Sequence, residues 1–335
     1  MFDILNVKSP FFNENEKLLN TARKTWAVYK QQPQRTHCKL CGSALPRERT
    51  FTDLGVDFFL CENCGQLNGA HQDTAEYAEA VYSGEGLVEF YVEPSIAQYI
   101  ARLESIYIPK ALFLVDSLRS LNVDTKNINF LDVGCGCGYL VGALQRLGYS
   151  ARGIDMSDQE VAYGNRMLGG NCLQTIQQNE LADIVGNATE QVLSIINVLE
   201  HVSDLSALLE TIQNNKNIQY MYFAVPLFSL SNIFGLVFPD VFNRQFATTH
   251  THLFSFKSIE WMNKKYGFES VARWNFGTDI MDLYRSIMVK LNPTDKKLSG
   301  LVSDFFKREA DGMQLLVDKS NFCSEAHILV KINHI

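Results

Sequence analysis

From residue 127 the chain alternates short apolar runs with stretches of helical periodicity: NINFLDVG, a helical pattern through Leu147, SARGID, and a second helical pattern through Leu168. Strand and helix in strict succession predict a parallel α/β sheet. Residues 172–176, QVLSIINV and IQYMYFAV extend it as third, fourth and fifth strands, with DLSALLETIQNN as the helix between the last two. Residues 180–190 fit the alternation poorly. After Val225 the pattern gives an aromatic loop or short helix, a helix at SFKSIEWMNKKYGF and a strand near FESVARWNF. Two helical stretches and a last strand, AHILVKI, follow.

The first 126 residues have a different texture. Residues 11–31 place apolar side chains at helical spacing and are stopped by Pro33. TFTDLGVDFFLC reads as a strand or hairpin. Residues 74–121 are helical in pattern, broken by SGEG and by Pro94 and Pro109, and carry the polar-tipped aromatics Tyr77, Tyr82 and Tyr91. The expected organisation is a helical arm (1–35), a cysteine module (36–72), a helical connector (73–126), a sheet core (127–225) and a substrate or lid segment with the remaining strands (226–335). Residues 220–238 carry no charge, but Pro226, Ser229, Ser231 and Asn232 favour a buried strand and short helix over a membrane span.

Composition narrows the partners. The chain has 335 residues, 46% hydrophobic and 20% charged, with a formal net charge of -7. That describes a globular chain without a general attraction to polyanions, so a small-molecule substrate is expected rather than a nucleic acid. MFDILNVKSPFFNENEKLLN shows no basic segment followed by an apolar one, which makes the expected location cytoplasmic.

Four of the eight cysteines fall at metal-ligand spacing. Cys38, Cys41, Cys61 and Cys64 form C-x2-C-x19-C-x2-C, with Gly42 and Gly65 just past each pair. Two knuckle turns of this kind bring four thiolates into a tetrahedron, the closed coordination of structural zinc. His37 and His71 lie nearby but are not needed. Cys135, Cys137, Cys172 and Cys323 have no such spacing and read as small buried residues.

Gly134, Gly136 and Gly138 follow the first predicted strand and open a helix. The dinucleotide fingerprint requires its third glycine at position 139, where this chain has tyrosine, and no Gly-Lys-Ser/Thr follows. Glycines there let a ligand approach the backbone and leave amides facing it. Asp155 ends the next strand, at the distance from which a carboxylate grips a ribose. The expected ligand is an adenosine-type molecule without a pyrophosphate.

Asp132, Val133 and Gly134 to Gly138, with Asp155 and the INVLEHVSD segment, resemble class I S-adenosylmethionine-dependent methyltransferases across residues 127–225. The resemblance implies a doubly wound, Rossmann-like sheet of seven strands with the last antiparallel. It implies donor binding by Asp132, Gly134, Cys135, Gly136, Gly138, Asp155 and Met156, with Asn197 and Leu199 on the methionine side.

The cysteine module, this core and THTHLFSF together resemble sugar C-methyltransferases acting on nucleotide-linked deoxysugars, and methyltransferases of polysaccharide clusters. That group carries Tyr-His-Glu-His with the last histidine as base; here the turn is Thr249, His250, Thr251, His252. His252 is therefore the expected base and His250 a weaker one, with O-methylation as open as C-methylation. Phe228, Phe234, Phe238 and Phe242 are candidates for the acceptor wall. The acceptor is expected to be a sugar or nucleotide sugar, the chain a possible homodimer. The alternatives are a zinc-ribbon rRNA or tRNA methyltransferase and a non-catalytic donor-binding assembly protein.

Overall fold

The computed structural model describes residues 14–74, 76, 77, 92–246 and 250–334. Residues 11–13, the SGEG segment, Tyr82, Tyr91 and Thr249 lie outside them. The chain divides into two compact units, each assembled from three stretches: Met1–Val81, Val225–Glu260 and Asn275–Ala326 in the first, and Tyr82–Ala224, Trp261–Trp274 and His327–Ile335 in the second. The segment expected at 226–335 is thus shared between the two units.

In the first unit, helix α1 (Asn15–Tyr29) buries Leu18, Leu19, Ala22, Trp26 and Tyr29, the i, i+3, i+4 face of its sequence pattern. A hairpin, β1 (Phe51–Asp53) and β2 (Val56–Leu60), turns through Leu54 and Gly55, both at positive φ. Strand β3 (Leu67–Gly69) extends that sheet. Trp26, Tyr29, Val56, Phe58, Leu67, Tyr77, Phe246 and Leu253 make an aromatic-rich cluster in this unit.

In the second unit, α2 (Ile96–Arg102) passes through a π turn (Leu103–Tyr107) into α3 (Ile108–Ser120). Pro109 was expected to break this helix and does not. It stands at the start of α3, just after the π turn, which resets the hydrogen-bond register where its ring would otherwise meet a preceding carbonyl.

There follow β4 (Asn129–Val133), α4 (Tyr139–Arg146), β5 (Ser150–Asp155), α5 (Asp158–Leu168), β6 (Leu173–Thr175), α6 (Leu181–Gly186), β7 (Val192–Ile196), α7 (Leu205–Asn214) and β8 (Tyr220–Pro226). Helix α6 and the 3-10 turn Gln178–Glu180 before it occupy the region that fitted the alternation poorly. Strand β8 is buried along its whole length, and the apolar run continues into α8 (Leu230–Val237). No helix among the described residues is long and apolar enough to cross a membrane.

After β9 (His252–Leu253) come α9 (Phe256–Tyr266), β10 (Phe268–Asn275), α10 (Asp279–Leu291), α11 (Lys296–Lys319) and β11 (Glu325–Ile332). The seven-stranded sheet has the order β10-β11-β8-β7-β4-β5-β6. Strands β4 to β8 pair in parallel. Strand β11 is antiparallel to its neighbours: the Ile332 amide donates to Gln219 and Asn333 to Gly267 at one end, while Leu227 donates to Ser324 and Phe276 to Glu325 at the other. This is the Rossmann-like, doubly wound sheet expected, with its last strand reversed.

Gly164 sets how closely α5 approaches the loop after β4. A Cβ there would lie 2.5 Å from Leu173 Cδ1 and 2.6 Å from the Cys137 carbonyl oxygen, and backbone does not yield as a flexible side chain does. Gly164→Ala is expected to destabilise the protein by about 1–3 kcal/mol despite its better helix propensity. Thermal denaturation followed by circular dichroism measures this, and an unchanged or raised midpoint would contradict the packing argument.

Candidate functional site

The strand order reverses beside β4, whose neighbours are β5 on one side and β7 on the other. The crevice outside the carboxyl ends of the strands at such a switch point is where open α/β sheets bind ligands. At those ends lie 134–138 after β4, Asp155 with 156–157 at the end of β5, and 197–199 after β7.

Gly134, Gly136 and Gly138 all have positive φ, at 68°, 50° and 72°. A Cβ on Gly134 would meet Val198 Cγ2 at 2.3 Å, so the residue is required both for conformation and for space. The loop amides were expected to face the ligand, but four are used within the protein. Gly134 and Cys135 donate to the Ile154 carbonyl at 2.8 and 3.1 Å, Gly136 to Asp155 Oδ2 at 2.8 Å, and Gly138 to the Cys135 carbonyl at 2.9 Å. With these four amides committed, the loop is not an amide cradle of the kind that holds a pyrophosphate.

Asp155 accepts the Gly136 amide with one carboxylate oxygen and the Ser157 amide, at 2.9 Å, with the other. Met156 beside it is 51% exposed. Asp132 is buried in β4 and accepts a 2.6 Å hydrogen bond from Ser194 Oγ on β7. Burial pushes its carboxyl up to about 7, Ser194 and Lys110 opposing the shift and Asp155 adding to it. Cys135 is buried behind the loop. Asn197 is exposed at the end of β7, with φ at 55° and its amide bonded to the Ala224 carbonyl. Leu199 is fully buried, so it is a core residue and not the lining residue expected.

Two features escaped the sequence reading. Tyr139, noted only as a missing glycine, is stacked between Tyr99 at 4.4 Å and Tyr107 at 5.0 Å, with the Arg102 guanidinium 5.1 Å from its ring. Tyr99 also donates to the Cys137 carbonyl, so the stack braces the loop. The second is Glu160 in the first turn of α5, whose Oε2 would lie 3.2 Å from a Cβ on Gly136. The only sequence signal for it was Ser157-x-x-Glu160, which reads as a helix cap.

In the first unit the four cysteines converge, every ligand atom within 4.8 Å of the others. The knuckles are built alike: Gly42 donates to the Cys38 carbonyl and Gly65 to that of Cys61, while the Cys38 and Cys61 amides bond Ser43 and Gln66. Sulfur separations of 3.6 Å (Cys38 to Cys64) and 3.5 Å (Cys41 to Cys61) are far too long for disulfides. They approach the roughly 3.8 Å edge of a tetrahedron with 2.3 Å zinc–sulfur bonds. Asn68 Nδ2 donates to Cys38 Sγ at 3.5 Å, a partner suited to a thiolate. His71 is committed to the Gln32 carbonyl through Nδ1.

Strand β9 completes the sheet of this cysteine module, in the order β1-β2-β3-β9, with His252 opposite Asn68 and Leu253 opposite Leu67. His252 is fully buried, which removes it from any surface a substrate could reach in this structure. His250 is half-buried and its Nδ1 lies 2.6 Å from the Gln245 carbonyl. Phe228 stacks on Phe51 at 5.9 Å, and Phe242 is buried against Leu18, Leu19 and Ala22; these two are packing residues rather than a substrate wall. Phe234 and Phe238, on and just past α8, are half-buried.

Residues 107–273 match the family model described as a methyltransferase domain. No curated protein matches the chain. Among solved structures, it is similar to the magnesium protoporphyrin IX methyltransferase of Synechocystis PCC 6803 (13% identity, 73% of this chain and 92% of that one, TM-score 0.43). Others are the plantazolicin methyltransferase BamL (16%, 73% and 90%, 0.45) and the geranyl diphosphate C-methyltransferase of Streptomyces coelicolor A3(2) (13%, 72% and 87%, 0.43). The matched residues take in β4 to β8 and the glycine loop but not β11, and the chain carries a methyltransferase domain.

Asp155→Asn tests the loop anchor. An amide nitrogen cannot accept, so either the Gly136 or the Ser157 amide loses its partner, at a cost of about 1–3 kcal/mol. A lowered melting temperature with faster hydrogen exchange at one of those amides is expected; wild-type exchange at both would refute the anchoring role.

Proposed function

We propose that the chain methylates a small-molecule acceptor, a sugar or nucleotide-linked sugar, in the biosynthesis of a surface polysaccharide or secondary metabolite. The observation that carries this reading is the joining of the four-cysteine module and the histidine turn in one sheet through β3 and β9. A metal knuckle that shapes a histidine-bearing strand is a device for handling an acceptor, and the resemblance to sugar methyltransferases rests on the same two elements.

In this reading Cys38, Cys41, Cys61 and Cys64 hold structural zinc, which supplies folding energy to a short segment and leaves no open coordination position for catalysis. Asp132, Gly134, Gly136, Gly138, Asp155, Met156 and Asn197 form the donor site. S-adenosylmethionine, when bound, supplies an electrophilic methyl carbon on sulfonium. The protein's part is to align the acceptor in line with it, exclude water and remove the acceptor's proton.

His250 suits that last task better than His252. With Nδ1–H donated to the Gln245 carbonyl, the tautomer is fixed and Nε2 is the basic nitrogen. His252, buried beside the metal knuckles, shapes the turn.

With S-adenosylmethionine and a panel of nucleotide sugars, turnover is expected on one sugar class. His250→Ala is expected to lower turnover by a factor of about 100 to 10,000 with donor affinity retained. Full turnover in that variant would remove His250 as base, and turnover confined to RNA would replace the sugar reading. Elemental analysis should find stoichiometric zinc, and its extraction should destabilise the first unit. A metal-free protein with an unchanged melting profile would rule zinc out.

A further inference from the structure

Helix α11 (Lys296–Lys319) is apolar on two sides. Its inner side buries Phe306 and Ala310, with Val302, Met313 and Val317 half-buried, against Ile280 and Met281 of α10. Its outer side carries Leu298, Leu301, Phe305, Leu315 and Leu316, each between 44% and 69% exposed. At 3.6 residues per turn these five fall within an arc of about 100°, turned away from the inner face. One apolar face is enough to hold a helix on a protein surface; a second, contiguous and in water, marks a place for a partner.

The spacing along the outer side points to the kind of partner. Positions 298, 301, 305, 308, 312 and 315 follow one another at alternating intervals of three and four. That alternation is the seam by which one helix packs along another in a coiled coil. Arg308 and Gly312 interrupt the apolar run, and they stand where a second copy, turned end for end, would accommodate them. In an antiparallel pair centred between Phe306 and Lys307, Leu298 of one copy meets Leu315 of the other, Leu301 meets Gly312, and Phe305 meets Arg308, each layer occurring twice. Apolar lies on apolar, large on small, and a guanidinium on an aromatic face, with the exposed Asp304 beside that ring as a carboxylate for the same guanidinium. Nothing lies within 4 Å of where a Gly312 Cβ would be, so packing within the chain does not require glycine in the middle of this helix. A parallel pair would instead set Arg308 against Arg308 and Gly312 against Gly312.

We propose that the outer side of α11 is a self-association surface, along which two copies of the chain pair through antiparallel α11 helices. The helix has 24 residues, which gives a seam about 36 Å long. Covering the five exposed side chains on both copies removes on the order of 1,000 Å² from water, about what a specific interface requires. The charges of α11, five basic against four acidic side chains, are too evenly mixed for attraction to an anionic lipid surface. None of these residues belongs to the glycine loop or to the cysteine knuckles.

The experiment is sedimentation velocity of the full-length protein from about 1 to 100 μM, a range in which an interface of this size populates both states. Wild type should pass from monomer to dimer across it. Leu298→Glu and Leu315→Lys, each alone, bury charges against leucine and should weaken dimerisation about tenfold or more. Combined in one chain, they set glutamate against lysine in both outer layers of an antiparallel pair and should restore dimerisation to within a few-fold of wild type; a parallel pair would set like charge on like and recover nothing. Within one copy these positions face water, and glutamate early and lysine late suit the helix dipole, so melting curves of dilute protein should match wild type. The proposal is overturned if wild type stays monomeric throughout, including a monomer that instead binds phosphatidylglycerol vesicles. It is equally overturned if either single variant dimerises as wild type does, or if the double variant fails to recover.

Discussion

The hydrogen bond from the Gly136 amide to Asp155 is the constraint on which the rest of the crevice at the glycine loop depends. A loop with three residues at positive φ has many shapes open to it, and glycine imposes none of them. Anchoring its central amide to the end of the neighbouring strand selects one. From that choice follow the approach of Cys137 to Gly164 on α5 and the reach of Tyr99 to the Cys137 carbonyl. The Tyr99–Tyr139–Tyr107 stack then closes the loop from the helical side. A carboxylate at this position is therefore part of the loop's own structure, accepting one amide from the loop and one from just before α5.

The first unit shows the same economy by other means. Its sheet strands are three to five residues long except for the two-residue β9, too short to make a stable independent sheet. The knuckles supply what the strands lack: paired turns hold four sulfurs together, and Asn68 links one of them to the strand that pairs with β9. Elsewhere in the unit a second polar network ties helices together. Asp279 at the start of α10 accepts from Ser231 on α8 and from the Ser324 amide, and Arg244 pairs with Asp282. Buried charges of this kind are tolerable only when each has its partner, so this part of the chain resists piecemeal substitution.

Much of the architecture was legible in the sequence because it is written in local periodicities. Strand and helix alternate from residue 127 with few exceptions, and C-x2-C spacing reports a knuckle directly. What was not legible depends on partners remote in sequence. Pro109 looked like a helix breaker because the π turn that accommodates it has no signature in single residues. Leu199 looked like a lining residue by position in a motif, yet lies wholly within the core. His252 looked like a base from its place in a turn, but strand pairing with Asn68, 184 positions earlier by the numbering, buries it. Ser157-x-x-Glu160 has the form of a full capping box, but only the serine half is made, because the Ser157 amide is taken by Asp155.

The reversed strand β11 has a consequence for how the protein is made. It lies between β8 and β10 in the sheet but is synthesised after both. Until it arrives, each of those strands presents a bare edge of unpaired amides and carbonyls, and β8 is among the most apolar segments in the chain. At ribosomal rates of roughly 5–20 residues per second, the 98 positions between the end of β8 and the start of β11 represent roughly five to twenty seconds of exposure. The nascent chain is therefore most prone to aggregation late in translation, when its glycine loop is already made but its sheet is still open in the middle.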